Sequence, residues 1–115
     1  MVVKILVSGD KDKTLDEVFE EMSQYYKSMR HYVSLYNNFI KDILGYKNMR
    51  DLTSNDIDYF YIYLANKTYS GHFYSKAYIR KIMNLLKNIF DYGIKRRYTD
   101  TNLAEIKLYF LKNID

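Results

Sequence analysis

The chain has 115 residues, 48% hydrophobic and 28% charged, with no cysteine, no proline, two histidines and a net charge of +4. That length suits one domain, the balance suits an ordered globule instead of a disordered tail, and the missing thiols exclude disulfides and thiolate metal sites. No run approaches the roughly 18 apolar residues of a membrane span, and the start lacks the parts of a signal peptide, so a cytoplasmic address is expected.

With 14 tyrosines, 6 phenylalanines and 5 methionines against 4 glycines, the composition predicts an all-α fold of long helices packed through large side chains. Val2 to Val7, closed by Ser8-Gly9-Asp10, reads as an extended tail and a turn. Thr14 stands three residues before Glu17, the capping-box spacing that opens a helix. Leu15, Val18, Phe19, Met22, Tyr25 and Tyr26 form its apolar stripe, and Asp16, Glu17, Glu20 and Glu21 put negative charge near its positive end. A second helical period spans Met29 to Leu44, with Tyr32, Val33, Leu35, Tyr36, Phe39, Ile40, Ile43 and Leu44 apolar. Gly45 is placed to end it as a left-handed cap. Its other face collects Lys27, Arg30, His31, Ser34, Asn37, Asn38 and Lys41, donors with almost no acid among them.

Thr53 and Asp56 repeat the capping spacing and start a third helix, Ser54 to about Ala65, burying Ile57, Phe60, Tyr61 and Leu64. Asn66 to Tyr74, with Ser70-Gly71, reads as a loop. Ser75 caps a fourth helix whose core stripe is Tyr78, Ile79, Ile82, Leu85, Leu86, Ile89, Phe90 and Gly93. At 100° per residue Lys76, Arg80 and Lys87 fall within about 40° of one another, flanked by Lys81, Asn84, Asn88 and Lys95. Leu103 to Ile114 has the apolar content for a short fifth helix.

Charge is not spread evenly. Residues 1–29 sum to −2, 30–68 to +1, 69–97 to +6 and 98–115 to −1. A basic element of this kind, beside a second donor-rich helix face, is the electrostatic footprint of a protein that meets a polyanion. Solvated faces of a helical bundle would look similar. Most tyrosines sit on core stripes and read as packing. His31 and His72 have no cysteine or paired carboxylates around them in sequence, and Asp56 and Asp58 point to different helix faces. A catalytic or metal site is therefore not expected.

The order of these pieces resembles the core-binding, SAM-like amino-terminal domain of phage and transposon integrases of the tyrosine recombinase family. The likeness runs from Thr14 to about Lys107. It rests on Thr14-Leu15-Asp16-Glu17-Val18-Phe19, on Leu44-Gly45-Tyr46 through Leu52-Thr53-Ser54-Asn55-Asp56-Ile57, on Tyr78-Ile79-Arg80-Lys81-Ile82, on Ile89-Phe90-Asp91-Tyr92-Gly93-Ile94-Lys95-Arg96-Arg97, and on Asn102-Leu103-Ala104. The last is similar to the family's Asn-Pro-Ala before its linker; here Leu103 replaces the proline, and Gly93 stands where alanine is common.

The resemblance implies a four-helix, mostly antiparallel orthogonal-type bundle whose second and fourth helices face double-stranded DNA. It also implies a division at 1–13 (tail or linker remnant), 14–107 (DNA-binding domain) and 108–115 (start of a linker). The family's His-x-x-Arg box is missing, since His31 is followed by Tyr32-Val33-Ser34 and His72 by Phe73-Tyr74-Ser75. The expectation is a non-enzymatic domain of a longer integrase, meeting other protomers on DNA, with no cofactor, metal, membrane or small-molecule ligand. Its DNA contacts would be Lys27, Arg30, His31, Ser34, Asn37 and Lys41 from the second helix. Lys76, Arg80, Lys81, Asn84 and Lys87 from the fourth, and Lys95, Arg96 and Arg97 near the linker, complete the set. Arg80 and Asn37 are the two expected to reach bases. A helical protein-interaction module without DNA binding is the alternative.

Overall fold

Local capping chemistry sets most of the helix starts. In the computed structural model, which describes residues 12–114, α1 spans Leu15–Tyr25 behind a closed capping box of Thr14 and Glu17. A mixed rod follows: a 3-10 helix Lys27–Tyr32, one α turn, α2, at Val33–Leu35, and a π-helix Tyr36–Gly45. After a 3-10 turn at Met49–Asp51 comes α3, Ser54–Asn66, opened by a capping box of Thr53 and Asp56. Two short strands, β1 Thr68–Tyr69 and β2 His72–Phe73, pair antiparallel. Then α4 runs Lys76–Lys95 and α5 Leu103–Ile114. Among the described residues the regular structure is helical apart from that hairpin and an isolated bridge between Thr14 and Asn48. The tail and turn expected over Val2 to Asp10 lie outside the described residues.

The long α4 is the central element, in contact with α1, α3, the π-helix and α5. That is why its buried face is wide: Met83 and Tyr92 join the expected stripe, and Ile82, Met83, Leu86, Ile89 and Phe90 are fully buried. Phe19 of α1 stacks on Tyr36 of the π-helix at 4.1 Å between ring centres. Lys47 and Met49 pair by backbone hydrogen bonds with Leu15 and Lys13, so the link after the second rod is stitched to the start of α1. Asp12 meets Arg50 at 3.3 Å. Residues 12 and 13 thus contact the turn that follows the second rod.

Several expectations are corrected. Tyr25 and Tyr26 are exposed, because α1 ends at Tyr25 and the chain turns away into the 3-10 segment. Gly45 is not left-handed; it closes the π-helix, and a Cβ there would collide with the Asp16 carboxylate. The side chain is omitted so that Asp16 can receive the Tyr36 hydroxyl at 2.5 Å and Lys41 at 3.1 Å. At Gly93, a Cβ would meet the flexible end of the Met49 side chain, so α4 and the 3-10 turn approach closely there. The loop expected over 66–74 holds the hairpin. α5 crosses 107/108 without a break.

Candidate nucleic-acid interface

The second rod and α4 come side by side along a surface groove of about 700 Å³. Ser28, His31, Ser34 and Asn38 line it from the rod, Lys81 and Asn88 from α4, and no carboxylate is among its lining residues. Its floor is apolar, with Met29 and Leu35 buried and Tyr78 half-buried. The Tyr78 ring is held between Tyr74, stacked at 5.2 Å, and Phe39, edge-on at 5.7 Å. Burial, and then the neighbouring Tyr74 and Tyr69, push its phenol above the usual tyrosine range. It therefore stays a neutral donor and acceptor at ordinary pH.

The expected cations do not all reach this groove. Lys76 and Arg80 lie on the other edge of α4, where they line a separate hollow with Tyr61, Leu108 and Leu111. Lys87 is on that edge too, half-buried and paired with Asp91 at 3.3 Å. The wheel angle that groups the three is right, but α5 packs beside that edge, not the second rod. Asn84 and Lys95 are exposed on the arc between the two edges. Lys27, Arg30 and Asn37 are exposed on the rod without lining the groove. Lys41 turns toward α1 and pairs with Asp16.

The three cations after α4 separate. Arg96 pairs with Glu21 of α1 at 3.1 Å. Arg97, at φ 67°, turns into a hollow lined by Arg50, Leu52 and Tyr98. Among the described residues, Lys27, Arg30, Lys76, Arg80, Lys81, Lys95 and Arg97 have no carboxylate within ion-pair distance.

Comparison of the chain with protein-family models, curated proteins and solved structures found no match. A groove offering one ammonium, one imidazole, two serine hydroxyls, two phenols and two amides suits a phosphodiester backbone and the base edges beside it. Among the described residues no group of three or more His, Cys, Asp and Glu is placed to hold a metal ion, and no helix is long and apolar enough to cross a membrane.

Five polar groove residues, Ser28, Tyr32, Asn38, Tyr78 and Asn88, lay outside the expected set. Asn38 and Asn88 sit on the polar faces read from sequence. Asn38, four residues after Ser34 and seven after His31, shares their edge and lines the groove, whereas Asn37 points off it. Ser28 precedes the expected helix start, and Tyr78 reads as core until its half-exposed edge is seen. A hydroxyl or phenol at such positions gives no periodic signal.

Proposed function

We propose that this chain is a non-catalytic DNA-binding domain of the integrase core-binding kind, gripping a duplex mainly through its phosphates. The observation that carries the reading is the acid-free groove in which His31, Ser34 and Asn38 face Lys81 and Asn88. These are the two elements that the integrase resemblance assigns to the DNA side. The order of helices and the central place of α4 support the finer description, a SAM-like four-helix arrangement with α5 leading toward a catalytic domain of the parent protein.

Lys81 in the groove, Lys27 and Arg30 outside it on the rod, and Lys76 and Arg80 on the opposite edge of α4 together supply about five phosphate contacts. The logarithm of affinity for duplex DNA then falls against log salt with a slope of about −4.5, from a micromolar starting point. Fluorescence anisotropy over a salt series measures this. Lys81→Glu should weaken binding and flatten the slope by about one or more. Lys107→Glu should weaken binding far less, since Lys107 is already paired with Asp58 of α3. Salt-independent binding, or none at low salt, defeats the reading.

A second reading has one observation in its favour: Ile106, Tyr109 and Phe110 of α5 are exposed together. An apolar surface of this sort suits a protein partner. It predicts a partner whose binding survives Arg80→Glu and is lost with Tyr109→Ala or Phe110→Asp.

A further inference from the structure

Helices joined as antiparallel neighbours need only about two to eight linking residues. Between α3 and α4 the chain instead rises into a hairpin, with Thr68 opposite Phe73 and Tyr69 opposite His72. Ser70 and Gly71 turn it at φ 50° and 81°, the double left-handed turn that matches the twist of paired strands. Directly opposed residues share a face of the ribbon, so one face carries Tyr69 and His72 and the other carries Thr68 and Phe73.

The two faces have different fates. Tyr69 packs on Tyr74 at 4.6 Å, Tyr74 stacks on Tyr78 at 5.2 Å, and Phe39 meets Tyr74 edge-on at 5.3 Å. This column of rings roots the hairpin in the wall of the groove. Phe73 is 65% exposed, with no ring contact among the described residues. A lone exposed phenylalanine means little. Here it stands on a hairpin that Lys67 precedes in the chain. Lys76 follows three residues later, and Asp42 of the π-helix is near enough to act on Lys67.

We infer that the hairpin Thr68–Phe73 is a base-stacking finger, its Phe73 ring receiving a base that has left the duplex stack. The inference rests on the DNA-binding reading and adds a preference to it. An aromatic face beside cations stacks on any base, because every base presents a π-face while the phosphates supply the charge. Unstacking costs least where the base is mispaired or single-stranded. The finger therefore favours distorted or open DNA over an intact duplex.

The test uses the full chain and two labelled DNAs, an intact duplex and the same duplex with a central mismatch bubble carrying 2-aminopurine. Wild type should bind the bubble roughly tenfold more tightly and quench the 2-aminopurine. Phe73→Ala should lose both effects while binding the intact duplex as wild type does. Phe73→Trp should restore them. Equal affinity of wild type for the two DNAs, or an unchanged bubble preference in Phe73→Ala, overturns the finger and leaves duplex binding standing. Binding to neither DNA brings down the finger and the proposed function together.

Discussion

Three groups from the end of α4 and the turn after it close on a single carboxylate of α1. Tyr92 and Tyr98 donate hydroxyls to Glu21 at 2.5 and 2.8 Å, and Arg96 adds its Nε at 3.1 Å. Burial alone would raise the Glu21 pKa; the two phenols, then Arg96 and Lys13, outweigh it and hold the carboxyl below its usual value. Asp56 shares that direction, chiefly through its bond to Lys47. A carboxylate depressed on folding stabilises fully above the unfolded value, and the contribution is lost as pH falls through the folded value. Stability should therefore drop on acidification below the ordinary carboxylate range, and Glu21→Gln should flatten part of that drop. Urea unfolding at a series of pH values checks this, and an unchanged acid slope in the variant would contradict it. None of this was visible in the chain order. Glu21 reads there as one of four acids opening α1, and its partners lie 71 and 77 residues away.

The start of α5 depends on a side chain that works in two directions. Asn102, buried, accepts from the Glu105 amide at 2.9 Å as a helix cap and donates to the Lys87 carbonyl at 3.0 Å and to Asp91 at 2.8 Å. Losing a cap costs about 1 kcal/mol, and leaving buried partners unmatched adds at least as much, so Asn102→Ala should destabilise by about 2 kcal/mol. Asn102→Asp should also destabilise, although aspartate is as good a cap as asparagine, because its carboxylate would face Asp91 and the Lys87 carbonyl. Thermal melts with hydrogen exchange at α5 amides test the pair; a neutral Asn102→Asp would show that capping is its whole role. Caps were the legible part of the elements. Thr14, Thr53 and Ser75 start helices where their spacing says, since capping is settled within four residues. The second rod was not, because its apolar residues at 36, 39, 40 and 44 fit an α-helix as well as the π-helix they form. The hairpin was missed because two-residue strands leave no alternation to detect.

Across the molecule, helix assignment reached further than site assignment for one physical reason. A wheel shows which residues of α4 share an edge, but only packing decides which neighbour that edge meets. Lys81 and Asn88 meet the second rod, whereas Lys76, Arg80 and Lys87 border α5. Charge asymmetry was legible as a sum over residues 69–97; its division between two edges, and the loss of Lys41, Lys87 and Arg96 to ion pairs, was not. The proposed DNA-binding role therefore stands on the groove and not on the net charge. Backbone amide shifts of the labelled protein, followed by NMR during titration with duplex DNA at low salt, address it most directly. The account predicts the largest shifts at His31, Ser34, Asn38, Lys81 and Asn88, fading as salt is raised. Shifts confined to Ile106, Tyr109 and Phe110 on α5, or no shifts at all, would contradict it.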